Sequence, residues 1–451
     1  MEKTNNFTEG HIVGPLIKFG LPVLMALFLQ NLYGAVDMWV VGNWGTEADV
    51  SAVNTGSWLM ATITQVIVGL SMGTTILLGQ KIGMKKHREL GDVMGTGICL
   101  FALFGVAVTI IVEVFAVQIA TLMQSPQEAF AGTVLYLRIC GGGLLFIVAY
   151  NLIGALFRGL GNSRVPLMTV AFACVFNIIG DLLLVAKFHM GVGGAAAATV
   201  VAQALSVVIS IFVIKIQGMP FEFGLKNIRI NKTHLKSTIT LGLPIAFQDT
   251  LISISFLVVT AIVNSLGVTA SAGMAVAEKL CGFIMLVPSA FMQSMAAFVS
   301  QNIGARQWKR ALRALRSGLM ISVFVGVIMA YITFFHGDML ASIFASGKEQ
   351  VIANAYDYLK AYAFDTLLVS FMFCFVGFFN GCGKTKFVMI QGIAGAFLVR
   401  IPFSYFMSLK TPPSLFWIGM ATPASSLLQV VLCLIYFIIL YNKMKKDESF
   451  T

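Results

Sequence analysis

With 451 residues, 58% of them hydrophobic and only 11% charged, and a mean hydropathy of +0.88, the chain carries too little polar surface for a water-soluble fold of its length. These proportions exclude a soluble enzyme or soluble binding module and predict an integral membrane protein. The net charge of +11 is spread over loops without interleaved aromatics, which argues against nucleic-acid binding.

Apolar runs recur along the whole chain, each near the roughly 20 residues that a helix needs to cross a hydrocarbon core. In chain order they predict twelve spans, at 14–41, 53–79, 93–117, 133–157, 166–186, 191–214, 237–263, 273–299, 315–335, 354–379, 388–408 and 416–441. The alternating period of a transmembrane barrel is absent, so the spans are read as helices. The stretch before Pro15 is short and polar, and no small-residue cleavage site follows the first run, so no signal peptide is expected. Between spans six and seven lies the longest polar stretch, 217–236, beginning Gln217-Gly218-Met219-Pro220. It reads as a linker between an N-terminal half, 1–216, and a C-terminal half, 237–451.

The two halves repeat one pattern about 222 residues apart. Gly20-Leu21-Pro22 returns as Gly242-Leu243-Pro244, Gly45 as Gly267, and Gln80 and Gly83 as Gln301 and Gly304. Tyr136-Leu137-Arg138 is echoed by Tyr358-Leu359-Lys360, and Phe157-Arg158-Gly159-Leu160-Gly161 by Phe379-Asn380-Gly381-Cys382-Gly383. Six helices return the chain to its starting side, so the repeats are parallel, the arrangement of a transporter whose halves rock about a shared site. The predicted fold class is all-α integral membrane, with twelve transmembrane helices in two parallel six-helix lobes around a central cleft.

Lysine and arginine gather in alternate loops, including Lys81, Lys85, Lys86 and Arg88, then Lys226, Arg229, Lys232 and Lys236, then Arg306, Lys309, Arg310 and Arg313, and the basic stretch at 443–446. By the positive-inside rule these loops and both termini face the cytoplasm, which predicts a multi-pass protein of the cell membrane. Seven cysteines, an odd number placed mostly within helices, predict free thiols packing as small apolar residues.

Catalytic and cofactor signals are weak. The five histidines are all expected in loops or at helix termini, without metal-ligand spacing. Gly381-Cys382-Gly383-Lys384-Thr385 suggests a phosphate-binding loop, but the required first glycine position is Phe378, and the repeat partner Arg158–Arg164 lacks Lys-Thr. Both read as tight turns with basic anchors. No cofactor and no enzymatic activity is expected.

Carboxylates within apolar helices carry the chemistry instead. Asp37 lies in the first span, beyond Pro22; Asp181 lies in the fifth, four residues after Asn177; Thr199 lies in the sixth. Residues four apart share a helix face, and all three spans place their oxygens at one depth. An ionised carboxylate at a helix centre costs about 2.5–3.5 kcal/mol on insertion scales, and two together need a shared cation or proton. An all-oxygen cluster suits a hard cation such as Na+. The competing explanation is that each acid snorkels to the interface or pairs with a buried base. In the C-terminal half Asp249, Asp365 and Arg400 fall near mid-helix, open to either an ion pair or a coupling role. Glu113 and the Glu278-Lys279 pair sit nearer the interface, where snorkelling suffices. The 37 phenylalanines and 23 methionines are read mainly as packing or lipid-facing residues.

Over essentially its full length the chain resembles the multidrug and toxic compound extrusion (MATE) family. The resemblance rests on the paired Gly-Leu-Pro motifs, on Ser300-Gln301-Asn302-Ile303-Gly304-Ala305, on Phe157-Arg158-Gly159-Leu160-Gly161 and on Arg400-Ile401-Pro402. Asp37, Asn177, Asp181 and Thr199 match the spacing of the N-lobe cation site in the prokaryotic DinF-like branch, with Pro22 as the bend of the first helix. The resemblance implies a monomeric antiporter that expels amphipathic, often cationic compounds in exchange for H+ or Na+. Another branch carries a C-lobe site on helices seven and ten, from which Asp249 and Asp365 are displaced by about a turn. A lipid-linked oligosaccharide flippase, or an exporter of an endogenous metabolite, is the alternative within the same superfamily. It typically has fourteen helices and a strongly basic cavity, neither of which is visible here.

Overall fold

A computed structural model describes residues 6–219, 221–345 and 347–448; Pro220 of the predicted linker and the two chain termini lie outside the described residues. Among the described residues all regular structure is helical. The helices are α1 (Val13–Trp44), α2 (Glu47–Gly83), α3 (His87–Leu122), α4 (Gln127–Gly142), α5 (Leu144–Gly159), α6 (Arg164–Asp181) and α7 (Gly191–Gln217). They continue as α8 (Lys232–Asn264), α9 (Val268–Ile284), α10 (Leu286–Gly304), α11 (Trp308–Ser342), α12 (Glu349–Gly381), α13 (Thr385–Ala394), α14 (Ile401–Ser408), α15 (Leu415–Gly419) and α16 (Ala421–Glu448). Eleven helical runs are long and apolar enough to cross a membrane, and the bent pair α4–α5 makes twelve. This is a multi-pass membrane protein with the expected number of spans.

The helices outrun the apolar stretches that predict them, because their ends carry polar caps. Span 53–79 is the centre of α2, whose start is fixed by a capping box: the Asp49 N–H donates to Thr46 Oγ1 at 3.1 Å, and the Thr46 N–H donates to Asp49 Oδ2 at 2.9 Å. Of the histidines expected in loops or at helix termini, His336 departs from that expectation and His234 meets it. His336 sits at a kink within α11, and His234 is buried in the first turn of α8. Span four is broken at Gly143 with a 51° bend. A side chain at Gly143 would overlap Val200 of α7, so the glycine lets the bend nest against its neighbour. All seven cysteines are free.

Two compact units emerge. One runs through Ala246 and includes Ser300–Gln307; the other comprises Phe247–Val299 and the residues from Trp308 onward. In the first, α1–α5 and α7 bury a core that includes Val40, Val53, Ile67, Val93, Phe101 and Leu144. Residues such as Leu103, Ile110 and Val114 of α3 remain more than half exposed, the outward apolar face that lipid covers. The end of α10 joins this unit through glycine packing. A Cβ on Gly83 would strike the Gln301 carbonyl, and one on Gly304 would strike the Gln80 carbonyl, so the two repeat-related glycines allow a reciprocal backbone approach. Gln301 Nε2 donates to the Gly159 carbonyl at 3.1 Å, while its Oε1 accepts the Phe7 N–H at 3.3 Å. The stretch between α7 and α8 is fastened to α3: Asn227 Nδ2 donates to Asp92 Oδ1 at 3.0 Å, and Thr96 Oγ1 donates to the Arg229 carbonyl at 3.2 Å. In the second unit α8, α9, α12 and α15 surround a core that includes Val259, Met274, Leu359, Tyr362 and Ile418.

Candidate functional site

The first unit gathers its intramembrane oxygens where α1, α6 and α7 pack together. The close approach of α6 and α7 follows from small side chains: α7 opens with Gly191-Val192-Gly193-Gly194 and four alanines, and a Cβ on Gly180 of α6 would meet Ala198 Cβ at 2.9 Å. This brings Thr199 to Asn177, whose Nδ2 donates to Thr199 Oγ1 at 3.4 Å. The Thr199 hydroxyl itself donates to the Ala195 carbonyl at 3.1 Å, which leaves its lone pairs directed at the cluster.

Asp181 is the last α-helical residue before a π-helical turn, Leu182–Lys187. Such turns widen a helix locally and recur at functional sites. Asp181 is fully buried, Asn177 is 1% exposed and Asp37 is 6% exposed. The carboxyl groups of Asp37 and Asp181 adjoin, each within the other's electrostatic field. Both oxygens of Asp181, Oδ1 of Asp37 and Oδ1 of Asn177 lack a protein hydrogen bond of normal geometry. Among the described residues no lysine or arginine forms an ion pair with either acid. Lys187, the base nearest in sequence, is exposed and lies over the Phe188 ring at 6.0 Å. The structure thus brings the buried Asp37, Asn177 and Asp181 together with the half-buried Thr199 in an oxygen-rich group that has no basic ion-pair partner among the described residues. Neither snorkelling nor a buried ion pair accounts for them.

Sequence reasoning missed the surrounding polar residues. Tyr33, one turn before Asp37 on α1, lies within reach of both that acid and Gln203, which is one turn after Thr199 on α7. Tyr136 of α4 senses Asp37 as well and accepts a hydrogen bond from Ser57 at 2.9 Å. The four-residue spacing of Tyr33 and Gln203 from the two site residues was the available signal. Among the described residues no group of three or more His, Cys, Asp or Glu could hold a metal ion. The set Asp37, Asn177, Asp181 and Thr199 offers oxygen donors, the donor chemistry of hard cations.

The second unit is built differently. Arg400, at the end of a second π-helical turn, Gly395–Arg400, is 5% exposed; it donates to Ser255 Oγ at 2.9 Å and lies over the Phe256 ring at 4.1 Å. It forms no direct ion pair with Asp249 or Asp365, although Asp365 lies within its electrostatic field. Asp365 is fully buried, and neither of its oxygens has a well-formed hydrogen bond, with the Ser426 hydroxyl alongside. Asp249 is half-buried and stands apart from this pair. Glu278 is half-buried and accepts a hydrogen bond from Thr260 at 2.7 Å.

The MatE family pattern matches residues 22–183 and 244–406, beginning at the paired prolines of the repeat and covering well over half of the chain. The chain belongs to the MATE family. This MATE chain is 24% identical over 433 residues to the probable multidrug resistance protein YoeA of Bacillus subtilis, covering 94% of the chain and 93% of YoeA. It is 22% identical over 402 residues to the multidrug export protein MepA of Staphylococcus haemolyticus, covering 88% of each. Its fold is similar to that of a MATE protein crystallised in complex with MaL6, with a TM-score of 0.93 at 18% identity over 99% of this chain and 100% of the other. An outward-facing multidrug resistance MATE transporter of the MOP superfamily superposes with a TM-score of 0.92 at 17% identity over 99% and 100%.

Proposed function

We propose that this MATE protein is a secondary active multidrug efflux antiporter, exporting amphipathic, often cationic small molecules in exchange for inward H+ or Na+. The observation that carries the reading is the adjoining, buried Asp37–Asp181 pair, with both Asp181 oxygens and Asp37 Oδ1 short of a well-formed hydrogen bond and no basic ion-pair partner among the described residues. Two such groups in a low-dielectric interior exist together only when a cation or proton is shared between them. Curated relatives named as multidrug resistance and export proteins support the substrate class.

In this reading the basic loops and both termini face the cytoplasm, and the chain works as a monomer in the cell membrane. The halves 1–216 and 237–451, joined by 217–236 and related by an axis along the membrane normal, rock against each other. Asp37, Asn177, Asp181 and Thr199 take up the cation from outside. The change of charge repacks α1 about Pro22, shrinks the drug site and expels the substrate. One cation exchanged for one monocationic drug cancels electrically, sparing about 2.3 kcal/mol per charge per 100 mV and leaving the chemical gradient as the drive. In the C-terminal half, Asp249, Asp365 and Arg400 serve either coupling or charge compensation.

Accumulation of a fluorescent cationic dye in everted vesicles, driven in turn by an imposed Na+ gradient and an imposed pH gradient, tests the reading. Antiport predicts accumulation with one gradient and collapse when it is dissipated. Accumulation indifferent to both would contradict it.

A further inference from the structure

The first helix of each repeat, α1 and α8, is preceded by a short segment that is fastened onto the other repeat. Before α8, Asn227 Nδ2 donates to Asp92 Oδ1 of α3 at 3.0 Å, and the Asn231 N–H donates to Thr96 Oγ1 of α3 at 3.2 Å. Before α1, residues 6–10 are held on the end of α10. The repeat offset of about 222 residues sets 6–10 opposite 228–232, so the two fastenings correspond in position and cross over in partner.

Phe7 is an apolar residue in a mostly polar lead-in, yet it is fully buried, its ring edge-on to Phe19 of α1 with centroids 5.2 Å apart. Two consecutive side chains of α10 take both of its backbone polar groups: its N–H donates to Gln301 Oε1 at 3.3 Å, and Asn302 Nδ2 donates to its carbonyl at 3.1 Å. Buried backbone groups are costly to leave unmatched, so this two-point match fixes the segment as firmly as the ring does. The Thr8 N–H donates to Asn6 Oδ1 at 3.1 Å, and Gly10, at φ +72°, turns the chain toward α1. The far end of the same Gln301 amide donates to the Gly159 carbonyl at 3.1 Å, so one side chain joins the lead-in of α1, the end of α5 and the end of α10. α10 begins in the second compact unit, and its last turn belongs to the first. Residues 6–10 therefore grip the stretch where the chain passes from one unit to the other.

We propose that residues 6–10 are a latch pinned by Phe7: by holding the end of α10 they keep the membrane face that carries the basic loops closed, and they release when that face opens to admit substrate. One buried ring and two neutral hydrogen bonds can bias a two-state equilibrium without freezing it. The fastening before α8 is of another kind. It adds the Arg229–Asp92 ion pair at 3.6 Å and lies so close on α3 that a side chain at Gly91 or Gly95 would strike the Glu222 or Asn227 carbonyl. Both of its sides belong to the continuous stretch of the first unit that ends at Ala246, so it stays fastened while the latch on α10 lets go. The latch deepens the antiporter reading and rests on it for the alternation between faces.

Hydrogen–deuterium exchange of the purified full-length chain in lipid nanodiscs, read by mass spectrometry, tests the latch. Phe7→Ala is expected to speed exchange about tenfold or more at the ends of α2, α5 and α10, around Gly83, Gly159 and Gly304, and to leave the starts of α2 and α10 unchanged. Phe7→Leu, which keeps an apolar filling, should restore most of the protection. Faster exchange confined to residues 6–10, or spread evenly over the chain with a lower thermal midpoint, overturns the proposal. In everted vesicles Phe7→Ala should lower the dye concentration for half-maximal accumulation and raise the ion concentration for half-maximal drive, each about threefold or more, because it favours the state that takes substrate over the state that takes the ion. Half-saturation points that stay put, or that move in the same direction, also overturn it. An unmodified chain that accumulates no dye would remove the antiporter reading instead, and the exchange comparison would still decide whether residues 6–10 hold that face.

Discussion

At the scale of single residues, the most demanding group is Asp181, whose two oxygens are buried without protein hydrogen bonds. A buried unsatisfied polar group costs on the order of 1–3 kcal/mol, more when charged, so the residue is tolerable only where a ligand repays that cost for part of the cycle. Thr199 contributes a neutral oxygen to the same cluster. Thr199→Val keeps the shape and removes the hydroxyl, and it is expected to raise the ion concentration for half-maximal efflux about tenfold, equivalent to ~1.4 kcal/mol. Dye-efflux rates measured against ion concentration would read the shift, and an unchanged half-saturation point would take Thr199 out of the site. Asp37, Asn177, Asp181 and Thr199 were legible in the sequence because an acid in an apolar run is conspicuous. Tyr33, Tyr136 and Gln203 were not, because aromatic and amide side chains in membrane helices look like ordinary packing until a neighbour is placed beside them. The Glu278–Thr260 hydrogen bond was hidden for the same reason, since the two residues lie on different helices.

At the scale of elements, close helix contacts depend on glycines at defined places. Gly304→Leu would drive a side chain into the Gln80 backbone, and overpacking of that kind typically costs 1–3 kcal/mol (about that range). A drop in thermal midpoint of several degrees in detergent is expected. Gly282→Ala in α9 meets no atom within 4 Å and is expected to be neutral or to stabilise by up to about 1 kcal/mol. Equal effects of the two substitutions would contradict the packing account. A similar argument holds at Gly95, where a side chain would overlap the Asn227 carbonyl. Gly95→Val should free the stretch between α7 and α8 and speed its cleavage in limited proteolysis, whereas an unchanged cleavage pattern would mean that α3 does not fasten it. Helix existence was readable from apolar runs, since lipid demands them. The bend at Gly143 was not, because no proline marks it and it nests against Val200 of α7, and neither was the π-turn after Asp181, which no proline marks.

At the scale of the whole molecule, duplication and asymmetry divide the labour. The duplicated features are the ones that shape helices: Pro22 and Pro244 both lie within long helices, and Gly83 and Gly304 sit at equivalent helix ends. The unduplicated features are the charges: adjoining acids without a basic ion-pair partner in one unit, and a buried acid and a buried guanidinium that form no ion pair in the other. The architecture was legible because a repeat fixes topology wherever its register holds. The arrangement around Arg400 was not, since sequence alone offered Asp249 and Asp365 as its partners and the structure ties it to Ser255 and Phe256 of α8. The central claim is that Asp37 and Asp181 form the coupling site. It is tested most directly by dye accumulation in everted vesicles carrying Asp37→Asn under an imposed ion gradient, with protein amount matched to the unmodified chain. A fall of about tenfold or more in gradient-driven accumulation is predicted, corresponding to at least ~1.4 kcal/mol of lost coupling, and full retention of accumulation would contradict the account.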